Sequence, residues 1–233
     1  MELAIETNGL ARSFGHHAAV AGVDMAVPER SVFGFLGPNG AGKTTTIRLL
    51  LGLLKPSAGS ATIFGLDAGR QRRKVAGHVG ALVEVPSLYP HLTGRENLSI
   101  TQRLRRAAPA EIDRVLDVVD LARDADRRVD GYSLGMRQRL GVARALVGKP
   151  RLLILDEPSN GLDPSGILDM RRLIASFPER EGVTVFLSSH VLAEVEQCAT
   201  HVGIMHEGRL LLQSPMRTLK TSQPGSIRVQ TDR

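Results

Sequence analysis

Tryptophan is absent from this 233-residue chain, cysteine occurs once, and aromatic residues make up only 3%. Each shortage removes a class of reading. With Cys198 alone no internal disulfide can form, which agrees with a reducing compartment and leaves the residue as a small buried hydrophobe. The basic runs Arg70-Gln71-Arg72-Arg73-Lys74 and Arg103-Leu104-Arg105-Arg106 contain no aromatic, so a platform for stacking single-stranded bases is missing. No nucleic acid is therefore expected as a partner, and the formal charge of +6 is read as solvated faces, some of them near lipid headgroups. Long apolar stretches are missing too: Ile47 to Leu54 and Leu152 to Leu155 fall well short of the roughly 20 residues that a membrane-spanning helix needs. The start, Met1-Glu2-Leu3-Ala4, lacks the basic, apolar and small-residue succession of a secretory signal, so a cytoplasmic protein is expected.

What is present suffices for one α/β domain spanning residues 1–233, with 42% apolar residues to build its core. Strands are expected at Leu3 to Glu6, Ala19 to Val27 and Val32 to Leu36. The last runs into Gly37-Pro38-Asn39-Gly40, and a helix follows from Gly42 or Lys43 to about Leu54, stopped by Lys55-Pro56-Ser57-Ala58-Gly59. Between about residues 86 and 146 the texture turns to apolar positions at helical spacing, such as Ile112, Val115, Leu116, Val119 and Leu121, which reads as an inserted helical subdomain. Leu152 to Leu155 and Val183 to Leu187 have the profile of buried parallel strands, joined by a crossover helix over Ile167 to Phe177. A hairpin over Val202 to His206 and Gly208 to Leu212, and a polar loose tail after Thr221, complete the expected order.

Chemistry concentrates in two places. Gly37-Pro38-Asn39-Gly40-Ala41-Gly42-Lys43-Thr44 satisfies the G-x-x-x-x-G-K-[ST] pattern between a buried strand and a helix start. Its glycines allow successive backbone N–H groups to converge on phosphate oxygens at the positive end of the helix dipole. Lys43 would reach the β- and γ-phosphates, the Thr44 hydroxyl would ligate Mg²⁺, and Thr45 would contact an upstream phosphate. Asp156-Glu157 then ends an apolar strand with two carboxylates aimed in different directions. One carboxylate to hold Mg²⁺, Asp156, and one to polarise the attacking water, Glu157, is what metal-assisted phosphoryl transfer from ATP requires.

Those two motifs leave kinases, GTPases, helicases and transporters open; the segment Tyr132-Ser133-Leu134-Gly135-Met136-Arg137-Gln138-Arg139 separates them. It resembles the Leu-Ser-Gly-Gly-Gln signature of ABC ATPases, and Asp156-Glu157-Pro158-Ser159-Asn160-Gly161-Leu162-Asp163-Pro164 is similar to that family's Walker B and D-loop run. Ser188-Ser189-His190 matches the switch histidine, and Phe14 in Ser13-Phe14-Gly15 stands where the family keeps an aromatic that stacks on adenine. The motifs fall in family order from Phe14 to His190. Glu84-Val85-Pro86-Ser87-Leu88-Tyr89-Pro90-His91-Leu92-Thr93-Gly94-Arg95-Glu96-Asn97-Leu98, together with the Tyr-Ser-Leu-Gly-Met signature, most resembles the branch handling bacitracin-type and lantibiotic peptides.

The resemblance implies a P-loop NTPase core of the RecA-like kind, N-terminal antiparallel strands and an inserted helical subdomain. It implies an ATP-hydrolysing subunit at the inner face of the cell membrane, docked on a separate permease through the surface around Glu84 to Tyr89 and energising export. Two cassettes, identical or different, would close around two ATP molecules, with Ser133 and Gly135 facing the partner's γ-phosphate and His190 its own. Several positions depart from the family pattern. Leu134 replaces a signature glycine and Met136 the glutamine; Arg30 stands where a turn glycine is common; Glu84 occupies the place of a glutamine that touches Mg²⁺ and the water. A carboxylate at Glu84 adds negative charge near the metal. The rival from another class is a soluble ABC ATPase acting on DNA or ribosomes, but the long coiled coils or doubled cassettes of those types are not in this sequence. An ATP-binding regulator without turnover is a third reading, against which Glu157 argues.

Overall fold

The computed structural model describes residues 2–221; the expected loose tail lies outside them. In chain order the elements are β1 (Leu3–Phe14), β2 (His17–Pro28), β3 (Val32–Leu36), α1 (Lys43–Leu50), β4 (Ala58–Ile63), β5 (Leu66–Asp67), α2 (Arg72–His78) and β6 (Val79–Leu82). There follow α3 (Gly94–Arg105), α4 (Glu111–Val118), α5 (Leu134–Leu146), β7 (Leu152–Asp156), α6 (Pro164–Arg180), β8 (Thr184–Ser189), α7 (Leu192–Cys198), β9 (His201–His206), β10 (Arg209–Pro215) and α8 (Met216–Thr221). Two sheets organise them. One is antiparallel, in the order β2-β1-β4-β5; the other runs β10-β9-β3-β8-β7-β6 and is parallel except for β10 at its edge.

The parallel sheet is buried on both faces, and strand alternation divides its side chains between two cores. Leu152 and Ile154 of β7, Phe186 of β8, and Phe33 and Phe35 of β3 face the layer formed by α1 and the antiparallel sheet. Leu153, Leu155, Val185 and Leu187 face the opposite layer, where Leu98, Ile112, Val115, Leu116 and Leu140 bring in the helical subdomain. Phe186 ties the strands of the first layer together, with ring centroids 5.6 Å from Phe33 and 5.2 Å from Phe35. Gly34 lies on the second face because α7 crosses there: a Cβ on it would stand 2.1 Å from Val195 Cγ1.

Several elements differ from their expected bounds for local reasons. α1 stops at Leu50 rather than near Leu54, because Gly52 takes φ +66° and a Schellman arrangement forms, with Leu53 N–H bonding Arg48 O and Gly52 N–H bonding Leu49 O. β1 and β2 run far longer than expected as a ribbon turned at Gly15-His16. β4 begins within the stretch read as turn chemistry and pairs back on β1. Its hairpin to β5 turns at Phe64-Gly65, both at positive φ, as a type I′ turn demands. α4 ends at Val118, before Val119 and Leu121, because Asp120 takes φ +56° just past its end. α6 begins at Pro164, earlier than expected, since Asp163 caps it by accepting from Gly166 N–H and proline suits the first helical turn.

Candidate functional site

The loop 37–42 connects β3 to α1 in a conformation that only glycine tolerates at key points. Gly40 has φ +80° and Gly42 φ +101°, and a Cβ on Gly42 would stand 2.3 Å from Ala19 O. With Gly42 at the N-cap, no side chain caps α1 and no acidic residue sits in its first turn. The first-turn N–H groups of α1 are thus presented at the positive end of the helix dipole without a competing carboxylate, a setting suited to phosphate. Lys43 opens the helix and is only 6% exposed; its ammonium donates to Gly37 O (2.7 Å) and Pro38 O (3.2 Å) and lies 3.2 Å from Glu157 Oε1.

Asp156 and Glu157 leave β7 in different directions. Asp156 continues the side of Leu152 and Ile154, toward α1, where it is nearly buried and its Oδ2 accepts from the Thr44 hydroxyl at 2.9 Å. Glu157 has left the strand with φ +50°, and its carboxylate spans Lys43 through Oε1 and His190 Nδ1, at 2.8 Å, through Oε2. Oε1 is buried and accepts no hydrogen bond among the described residues, so the ion pair with Lys43 compensates its burial. Five of the site residues expected from the sequence, Lys43, Thr44, Asp156, Glu157 and His190, are joined by direct contacts across three elements and their connecting loops.

The oxygen donors suit Mg²⁺. Thr44 and Asp156 supply hard ligands, and no group of three or more His, Cys, Asp or Glu among the described residues could hold a metal by itself. Such an ion would need phosphate oxygens as well, which is how Mg²⁺ is usually held beside a nucleotide.

The remaining expected residues lie around this group rather than in it. Phe14 ends β1, is 46% exposed, and carries the Arg12 guanidinium 4.7 Å from its ring centroid. Ser133 caps α5, its Oγ accepting from Met136 N–H at 3.2 Å, so its hydroxyl is fixed at a helix start. Ser133 and Gly135 line a cavity of about 510 Å³ with Arg139, Gly161, Asp163 and Ser165. Leu134, in place of a glycine, reaches Gly161, where a Cβ would come within 3.2 Å of its Cδ2. Asp163 is held below the ordinary carboxylate range by the Ser165 hydroxyl and Gly166 N–H. Glu84 is not among the groups joined to Asp156; it has φ +60°, its carboxylate is more than half exposed, and it pairs with Arg48 on α1.

One participant escaped the sequence reading. Ser188, fully buried, donates to Asp156 Oδ1 at 2.6 Å and accepts from Glu157 N–H at 2.9 Å. Its signal was two polar residues, Ser188-Ser189, closing an otherwise apolar buried strand. Which carboxylate it meets depends on the register of β7 against β8, which no local pattern states.

A glycine loop between a parallel strand and a helix, a buried lysine, and an acidic strand end one intervening strand away define a P-loop nucleotide-binding protein. The profile of the ABC transporter family matches residues 20–160, and the chain belongs to that family, whose ATP-binding cassettes hydrolyse ATP. It is 48% identical over 221 residues to the bacitracin transport ATP-binding protein BcrA of Bacillus licheniformis, covering 94% of this chain and 72% of the relative. To the lantibiotic transport ATP-binding protein SrtF of Streptococcus pyogenes it is 38% identical, covering 90% of each. Among solved structures, cbiO1 of Clostridium perfringens, part of the ABC transporter complex cbiONQ, superposes with a TM-score of 0.86 at 26% identity, covering 95% of this chain and 92% of that one.

Proposed function

We propose that this chain hydrolyses ATP to energise export of a peptide antibiotic of the bacitracin or lantibiotic type through a separate permease. The observation that carries the hydrolytic part is the bridge made by Glu157 between Lys43 and His190 beside the Thr44–Asp156 pair. The cargo class rests on the relatives named above. The chain acts as one nucleotide-binding domain with a helical subdomain at about residues 86–146, peripheral at the inner face of the membrane. No helix among the described residues is long and apolar enough to cross it.

In this reading the backbone of Gly37, Pro38, Asn39, Gly40, Ala41 and Gly42 cradles the phosphates, and Lys43 turns from the loop carbonyls to the β- and γ-phosphates. Thr45 contacts an upstream phosphate, and Phe14 stacks on adenine. Thr44 and Asp156 hold Mg²⁺, which when bound neutralises charge on the phosphates. Glu157 orients the attacking water and takes its proton, while His190 fixes the Glu157 carboxylate and meets the γ-phosphate. Ser133 and Gly135 complete the site of a second cassette, identical or different. Glu84, paired with Arg48, belongs to the face toward the permease, where Val85 and Tyr89 are exposed.

Phosphate release by Glu157→Gln tests the hydrolytic assignment: turnover is expected to fall about 10²–10⁴-fold, and parental turnover removes Glu157 as the base. Capture of the same variant with ATP from native membranes tests the coupling. A multi-span permease supports export; ribosomes or DNA instead favour the soluble rival.

A further inference from the structure

We propose that Ser188 is a positioning residue for hydrolysis, one hydroxyl that locks the carboxylate of Asp156 and the backbone of Glu157 into a single arrangement. The inference rests on the nucleotide-site reading above. Ser188 stands opposite Asp156 in the β7–β8 register, is 0% exposed, and makes both of its short hydrogen bonds to that neighbouring strand end. With Thr44 on Oδ2 and Ser188 on Oδ1, the Asp156 carboxylate is held at both oxygens, so its plane is set before any ion arrives. The second bond acts on the neighbouring residue. Glu157 lies just past the last paired position of β7 with φ +50°, and its N–H, no longer in the ladder, is received by Ser188 Oγ.

That backbone turn is what sends the Glu157 side chain to Lys43 and His190 rather than along the strand. Only a side chain that donates and accepts at one atom can serve both partners, and a hydroxyl is the smallest that does. A buried polar side chain closing an apolar strand is costly unless its partners use it, and here both partners belong to the reacting site. Alanine at this position would free the carboxylate plane and the turn together.

Ser188→Ala, with Asp156→Asn and Glu157→Gln beside it, is measured in the full chain by ATP turnover, by binding of a fluorescent ATP analogue with and without Mg²⁺, and by thermal melting. The expected result for Ser188→Ala is a roughly 10–100-fold loss of turnover and about a tenfold loss in the strengthening of nucleotide binding by Mg²⁺. Mg²⁺-free binding should stay at the parental level. Parental turnover and Mg²⁺ response in Ser188→Ala, while both carboxylate variants lose turnover and Asp156→Asn also loses its Mg²⁺ response, overturns the role of Ser188 alone. Collapse of Mg²⁺-free binding together with the melting temperature also overturns it, by making the serine a support of the fold. Parental turnover in Asp156→Asn and Glu157→Gln would instead overturn the site reading from which the inference starts.

Discussion

Glu157 and Lys43 each sit where their type is costly without a partner, and each has the other. Removing the lysine would therefore do more than delete the phosphate contact proposed for it, since it leaves Glu157 Oε1 buried without its ion pair. Lys43→Ala is expected to weaken ATP binding by about 1.5–3 kcal/mol, the usual value of hydrogen bonds to a charged group, as read by equilibrium binding of a fluorescent nucleotide. Cys198 is the opposite kind of residue. Burial pushes its thiol up to about 11, and its Sγ lies 3.2 Å from Glu194 O. The folded protein should thus resist a disulfide reagent at mildly alkaline pH and react fully once unfolded, a difference read by thiol titration. Rapid labelling of the native protein would contradict this placement.

Among the elements, the contact of α7 with β3 depends on Gly34 having no side chain. Gly34→Ala is expected to cost about 1–3 kcal/mol by overpacking against Val195, and combining it with Val195→Ala should cost less than the sum of the two, as urea denaturation of the four proteins would reveal. The helical subdomain is fastened differently. Arg114 of α4 pairs with Glu111 and with Glu181 beyond α6, and also donates to Leu146 O at the end of α5. The Arg114 hydrogen bonds outweigh burial and hold the Glu111 carboxyl below the ordinary carboxylate range. A carboxyl depressed in the folded state stabilises above its unfolded pKa, and that stability is lost as pH falls through the folded one. Melting temperature should consequently fall more steeply on acidification below the ordinary carboxylate range in the parent than in Glu111→Gln. The helix periodicity of Ile112, Val115 and Leu116 was legible in the sequence, but this ionic fastening, joining residues from 111 to 181, was not.

For the assembled protein, the position of Ser133 at the exposed start of α5, beside the loop that carries Gly161, separates it from the contacts around Lys43. If it serves a second cassette, Ser133→Arg should depress turnover at least about tenfold while ATP binding by the monomer is kept. ATP should also drive Glu157→Gln, but not the doubly substituted chain, into a dimer on sedimentation. Lost binding in the monomer would place Ser133 in its own chain's site instead. Glu84 belongs to this level as well. The resemblance put a carboxylate near the metal at this position; in the folded chain it pairs with Arg48, an ion pair that α1 and the 84–90 loop create only when packed together.

The chemistry of this protein was written locally: a glycine loop with Lys43 and Thr44, an acidic strand end and a histidine after the next strand are short-range patterns, because phosphate cradles and strand ends are built from adjacent residues. Strand runs such as Val32 to Leu36 were equally legible, since two-sided burial requires continuous apolar residues. The meeting of these pieces was decided by the tertiary structure alone. The parallel register that sets Ser188 against Asp156, the turn that swings Glu157 onto Lys43 and His190, and the pairing of Glu84 with Arg48 all join residues between 31 and 114 positions apart. Such contacts form only when separate strands and helices pack around a shared core, so the residues that make them carry no mark of their partners along the chain.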